Sequence, residues 1–298
     1  MQEKELTKFN IWLLAIRPKT LPAAGAGVIT GTALAFYDGY FQLLPALAAL
    51  IGAVLLQIGS NLANDVFDYL RGAESKERLG PVRVTQAGLL TPREVQMGMW
   101  ITFFLSALIG IYLITIAGWA ILFIGLTAIF AAIAYTGTIS DKGGLADIFV
   151  FLYFGVAAVV GTYYVQALKT SPVAWWMSVP IGFLVVNILV VNNLRDIEAD
   201  KAVNKITTAV RMGVSATRKE YLILLAISYL MLPVLILVNL IPAWTLGVWL
   251  SIPFAWKVAG VVLKEEGRPL NAALAGTGKI ALIYSLLFFA GILLAVFL

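Results

Sequence analysis

Two stretches of this 298-residue chain gather carboxylates, amides and bases in a pattern suited to holding a metal and a polyanion. The first runs from Asn61 to Leu90; the second, Asn192 to Gly213, repeats its plan further along the chain. In the first, Gln57, Asn61, Asn64, Asp65 and Asp68 recur at three- and four-residue spacing, one polar stripe on a helix. In the second, Asn192, Asp196 and Asp200 share a helical face, with Asn193 beside them. Carboxylates so close repel one another unless a cation lies between them. The chain has no cysteine and no histidine. An all-oxygen set of this kind suits Mg²⁺, which takes few carboxylates and completes its shell with substrate phosphates.

Bases crowd the same side: Lys19, Arg71, Lys76, Arg78, Arg83, Lys142, Arg195, Lys201, Lys205 and Arg211. Membrane topology alone accounts for most of them individually. Several could also reach a polyanion bridged by the metal. Carboxylates, Mg²⁺ and bases beside a greasy cavity suggest a diphosphate carrying a lipid tail.

The elements that position these residues follow from composition. Hydrophobic residues make up 61% of the chain and charged residues 12%, and mean hydropathy is +0.92. Soluble domains run near 45–50% and about 25%. The fold class is therefore all-α, a polytopic membrane protein. About nine transmembrane helices are expected, over Thr20–Tyr37, Gln42–Asn64, Pro92–Ile114, Gly118–Thr136, Asp147–Ala167, Val173–Asn193, Thr217–Val238, Pro242–Val262 and Ala275–Leu298. A transmembrane barrel would show short alternating segments instead. The missing cysteines and histidines exclude disulfides, thiolate nucleophiles, zinc or haem held by those side chains, and the usual general base.

Of the 21 Lys and Arg, only Lys169 falls on the side of the short turns. The positive-inside rule then places the N-terminus in the cytoplasm and the C-terminus outside. Trp119, Trp175, Trp176 and Trp244 fall near the outer interface. Residues 1–19 read as a retained interfacial segment, a short amphipathic helix ended by Arg17-Pro18. One domain covers residues 1–298, since no linker composition divides the chain. The net charge of +5 reports topology and needs no nucleic-acid partner.

Two glycine-rich runs invite over-reading. Ala275–Lys279 (AGTGK) lacks the spacing and preceding strand of a phosphate-binding loop, and is better read as a close helix contact. The run Ala23–Gly31 carries small residues at four-residue spacing and is read the same way.

With these residues in view, the chain resembles the UbiA-type intramembrane prenyltransferases. Asn64-Asp65-Val-Phe-Asp68 is similar to the first aspartate-rich motif of that family, and Arg195-Asp196-Ile-Glu-Ala-Asp200 to the second. Gly72 stands where the first motif usually has its third acid, and Glu74 follows two residues on. Further strings resemble the branch whose acceptor is 1,4-dihydroxy-2-naphthoate. They are Arg17-Pro-Lys-Thr-Leu21, Gln57–Asp68, Gly80–Gly88, Tyr135-Thr-Gly137, and Asn192–Asp196 with Lys205 and Ala209-Val-Arg211. The loop Gly137–Ala146 lacks that branch's Pro-Leu pattern.

The resemblance implies transfer of a polyprenyl group from an allylic diphosphate to an aromatic acid, with Mg²⁺ as cofactor and the site facing the cytoplasm. It assigns the metal to Asp65, Asp68, Asp196 and Asp200, with Glu74 as a further candidate and Asn64 beside them. It assigns substrate contacts to Lys19, Asn61, Arg83, Lys142, Asn193, Arg195 and Lys205. Other acceptors (4-hydroxybenzoate, homogentisate, haem) remain open, as does a cation-coupled transporter, since acids inside a membrane often mark ion paths.

Overall fold

The computed structural model describes residues 6–72, 79–134 and 144–298. Among them the chain is helical, in the order α1 (Lys8–Ile16), α2 (Leu21–Tyr37), α3 (Leu43–Leu70), α4 (Pro92–Ala117), α5 (Trp119–Ala134), α6 (Leu145–Ala167), α7 (Pro172–Arg195), α8 (Ile197–Ala202), α9 (Thr208–Leu237), α10 (Ala243–Lys264) and α11 (Leu270–Phe297). Among the described residues, eight helical segments are long and apolar enough to cross a membrane, the first counting α1 and α2 together. The fourth expected span is α5, a shorter apolar helix of 16 described residues.

Local chemistry sets the helix starts. Thr91 and Glu94 form a reciprocal capping box at the head of α4, with Pro92 just inside it. Thr7 and Thr207 cap α1 and α9 by accepting an N–H three residues on. As the Arg17-Pro18 signal suggested, α1 ends at Arg17, a left-handed residue (φ 54°) that turns the chain into α2.

Expected glycine contacts are present. A Cβ on Gly27 would stand 2.5 Å from the Ala158 Cβ, and one on Gly31 would run into the Val159 carbonyl. Thus α2 packs backbone-close on α6. Gly276, in the run set aside as a phosphate loop, lies inside α11 with room only for the Val258 side chain. Where α6 crosses α7 it widens into a π-turn, Phe151–Ala157, and Gly155 rests against Gly182.

Among the described residues, the two largest buried clusters divide the bundle. The larger joins α2, α6, α7, α9, α10 and α11 around residues such as Ile181, Leu184 and Tyr284. The smaller joins α1, α3 and α4 with the loop before α4, through Leu62, Val66, Val84, Leu90 and Met99. The first acid stretch grows from the smaller cluster and the second from the larger. Trp119, Trp175, Trp176 and Trp244 point outward near the starts of α5, α7 and α10. On α7 that is the end away from Asp196.

Candidate active site

The polar stripe of α3 divides into two faces. Asn61 and Asp65, four residues apart, turn away from the bundle's interior space. Asn61 is buried, and its amide donates to the Ile16 carbonyl (2.8 Å) and to Thr20 Oγ1 (2.9 Å), stapling α3 to the turn after α1. Asp65 is 1% exposed and accepts the Val84 N–H (3.1 Å) and the Thr85 N–H (3.0 Å), with Arg17 Nη2 at 4.0 Å. Val84, wholly buried, pins the same loop into the smaller core. On the other face, Ser60, Asn64 and Asp68 line a cavity, together with Gln57. The loop held by Asp65 brings Arg83 back over them. Its guanidinium donates to Asp68 Oδ2 (2.5 Å) and to the Asn64 carbonyl (2.9 Å).

The second stretch keeps one helical phase across a break. At Asp196 the backbone leaves helical geometry (φ −101°, ψ 9°), ending α7 and starting α8. The Asp196 and Asp200 N–H groups still donate to the carbonyls of Asn192 and Asp196 (3.2 and 2.8 Å). Asn192, Asn193, Asp196 and Asp200 therefore all line the cavity. Lys205 lies 3.5 Å from Asp200 Oδ1 and lines it too. The buried Arg195 faces elsewhere: Nε and Nη2 grip both oxygens of Asp196 (2.8 and 2.5 Å), while Nη2 also donates to Asn192 and Nη1 to Asn271, both at 2.8 Å.

The cavity has a volume of about 920 Å³. At its polar end the described charged residues are Asp68, Asp196 and Asp200 with Arg17, Arg71, Arg83 and Lys205. Away from them it is apolar, walled by α2 through α7 with residues such as Leu56, Ile109, Ile129, Phe154, Val165 and Ile188. Lining residues on α3 reach from Asp68 back to Ala49, about 28 Å at 1.5 Å per residue. A charged head and a long apolar tail would fit end to end. Over residues 24–283 the sequence matches the UbiA prenyltransferase family.

The chain is a member of the UbiA prenyltransferase family. It is 38% identical to a 1,4-dihydroxy-2-naphthoate octaprenyltransferase of Escherichia coli (strain K12), covering 99% of both chains. A protein of the same name from Mycobacterium tuberculosis is also 38% identical, over 94% of this chain and 96% of its own. In fold it is similar to a UbiA homolog from Aeropyrum pernix K1 (TM-score 0.71, 15% identity, 94% and 98% coverage). A UbiA homolog from Archaeoglobus fulgidus, solved with DMAPP and Mg²⁺, aligns at TM-score 0.66 and 17% identity over 94% and 98% of the chains.

Several expectations for this UbiA protein shift. Asp65, expected among the metal ligands, does not line the cavity, and its two oxygens accept the Val84 and Thr85 N–H groups. Asn61 and Arg195 were expected to touch substrate; one staples α1 to α3 and the other orients Asp196. Lys19 is exposed and does not line the cavity. Glu74 and Lys142 lie outside the described residues. Asn64, Asp68, Arg83, Asn193, Asp196, Asp200 and Lys205 do converge there.

Arg17 and Asn204, not among the expected site residues, each line the cavity from a left-handed backbone (φ 54° and 56°). Non-glycine residues seldom adopt that region, so the turns they occupy are set by their surroundings. The Arg17-Pro18 pair was the available signal, and it was read as a helix end and as part of a family-like string, not as lining a cavity. Among the described residues no three acids cluster tightly enough to hold a metal alone. The oxygen donors of Asn64, Asp68, Asp196 and Asp200 fit Mg²⁺ of the kind that relies on substrate phosphates to complete its shell.

Proposed function

We propose that this protein transfers a polyprenyl group from an allylic polyprenyl diphosphate to 1,4-dihydroxy-2-naphthoate, releasing diphosphate and CO₂ and forming demethylmenaquinol, the reduced form of demethylmenaquinone. The observation that carries the reading is the cavity, acidic and basic at one end and apolar along the rest. The identity to naphthoate octaprenyltransferases over nearly the whole chain supports the choice of acceptor. The whole chain acts as one unit, in the cytoplasmic membrane, with the polar mouth and N-terminus on the cytoplasmic side.

Arg17, Arg71, Arg83 and Lys205 would hold the diphosphate oxygens and stabilise charge as the leaving group departs. Asn64, Asp68, Asp196 and Asp200 would hold Mg²⁺, which when bound neutralises charge on the diphosphate. The C–O bond of the allylic ester breaks with its electron pair going to diphosphate. The apolar walls keep water from the resulting allylic cation. The electron-rich ring attacks through the carbon that bears the carboxylate. Loss of CO₂ returns the C–C pair to the ring and restores aromaticity, so no side-chain base is required. That suits a chain without histidine.

Purified protein in detergent, given Mg²⁺, a polyprenyl diphosphate and separately each of 1,4-dihydroxy-2-naphthoate, 4-hydroxybenzoate and homogentisate, tests the reading. The expected result is one prenylated naphthol with one CO₂ and one diphosphate per turnover. Prenylation of a different acid would replace the acceptor, and solute flux in vesicles without turnover would replace the reaction. Orientation can be read separately. The native chain has no cysteine, so a single one introduced in the loop after α8 should be labelled from the cytoplasmic side alone.

A further inference from the structure

We propose that Asn271, which belongs to neither acid motif, is a positioning residue coupling the loop over the first half of the site to the second half. The inference deepens the prenyl-transfer reading and rests on it. Asn271 is the second residue of α11. Its Nδ2 donates to the Leu79 carbonyl at 2.8 Å, and its Oδ1 accepts Arg195 Nη1 at 2.8 Å. Donor and acceptor ends of the amide are thus both engaged, which fixes its orientation.

Each contact leads to one half of the site. Arg195 is a planar fork, so holding Nη1 sets the plane in which Nε and Nη2 grip the Asp196 carboxylate. Leu79 lines the cavity and opens the described part of the loop, four residues before Arg83 with its ion pair to Asp68. A Cβ placed on Gly267 (φ 66°), in the turn just before α11, would stand 3.9 Å from the Leu79 side chain, so the turn lies beside it. A continuous path therefore runs from the loop through Asn271 and Arg195 to Asp196. Capping its own helix is not what Asn271 does, because its side chain reaches two other segments and its N–H already donates to the Arg268 carbonyl.

Two variants separate the two contacts. Asn271→Leu removes both; Asn271→Asp keeps an acceptor for Arg195 and loses the donor to Leu79. For Asn271→Leu we expect kcat/KM for the prenyl diphosphate to fall about 10- to 100-fold, the loss of a hydrogen bond to a charged group. The Mg²⁺ concentration for half-maximal rate should rise several-fold, with the acceptor KM within about twofold. Asn271→Asp should recover kcat and Mg²⁺ response while keeping a raised KM for the diphosphate.

Unchanged diphosphate and Mg²⁺ parameters in Asn271→Leu would overturn the proposal. So would equal losses in every parameter with no recovery in Asn271→Asp, which would mark a purely structural residue. If Asn271→Leu fails to accumulate, Asn271→Asp decides alone by the split between diphosphate KM and Mg²⁺ response. A wild-type protein that prenylates nothing would sink the reaction and leave the coupling readable. Thermal stabilisation by Mg²⁺ plus inorganic diphosphate should then be full in wild type and reduced in Asn271→Leu; equal stabilisation refutes the coupling.

Discussion

The two halves of the site are built from nearly the same residue types and use them differently. On α3, one acid of the pair, Asp68, lines the cavity while the other, Asp65, is turned away from it to hold loop amides. At the end of α7, Asp196 and Asp200 both line the cavity. The bases are reversed: Arg83 reaches the cavity from a returning loop, whereas Arg195 lies buried behind the acid it grips. Spacing explains the acids. Asp65 and Asp68 are three residues apart and have different neighbours, the loop for one and open space for the other. Asn192, Asp196 and Asp200 are four apart, and bridging hydrogen bonds keep them in phase across the helix break. Sequence repetition here gives two halves of one site without giving the site symmetry.

The largest expected effects come from the acids that face the cavity. Asp68→Asn and Asp196→Asn should each lower kcat by about 10²–10³-fold, the scale seen when one stabilising group at a developing charge is removed. Each protein should still fold, as judged by thermal unfolding in detergent. Activity within about tenfold of wild type in either variant would break the assignment of that acid.

The bases should separate by kind of effect. Arg83→Gln removes a cavity-facing cation, so KM for the prenyl diphosphate should rise by about 10-fold, the cost of a lost hydrogen bond to a charged group. Arg195→Gln leaves the cavity lining intact but frees Asp196 and strands its polar partners. It should lower kcat and destabilise by up to about 3 kcal/mol, as breaking a buried pair does. Steady-state kinetics and melting curves on both variants check this. A pure KM effect from Arg195→Gln would move it into direct contact with substrate.

Asp65→Asn is the sharper test of the difference between the halves. One carboxylate oxygen would become an amide nitrogen facing a backbone N–H, leaving a buried donor without an acceptor. A loss of about 1–3 kcal/mol is expected. It should show as faster proteolysis between Arg71 and Leu90, with activity reduced about tenfold and the Mg²⁺ requirement unchanged. An Mg²⁺ dependence altered as strongly as that of Asp68→Asn would return Asp65 to the metal.

How far these assignments were legible depended on what each residue's signal was. Spans one to three and five through nine were readable because long apolar runs admit one structure in hydrocarbon. The α3 acids were readable as a group and not individually. At 100° per residue, Asn61, Asn64, Asp65 and Asp68 all fall within one broad arc. Only the loop carrying Val84 and Thr85, nineteen and twenty residues away, decides which acid turns to it. Asn271 carried no local signal at all, because a single asparagine at a helix start reads as a cap. The side on which Arg195 lies was illegible for a related reason: a base beside an acid looks the same in sequence whether it lines the cavity or grips the acid from behind.

The smallest expected effect concerns the N-terminal turn, where the two halves' reversal of bases recurs in miniature. Lys19 and Arg17 are two residues apart, and positive-inside bias would favour either. Arg17 occupies the left-handed turn after α1, and its side chain lines the cavity beside Thr20; Lys19 follows in the short 3₁₀ turn, exposed. A solvated lysine contributes little beyond long-range charge, which salt screens over about 8–10 Å. Lys19→Ala should therefore leave kcat/KM for the diphosphate within about twofold of wild type at physiological salt, where surface charge contributes little. Arg17→Ala should lower it by at least tenfold, losing a charge-assisted contact of about 1.5 kcal/mol or more. Equal losses from both variants would mean that local potential, not the turn's geometry, selects the base on this side of the site.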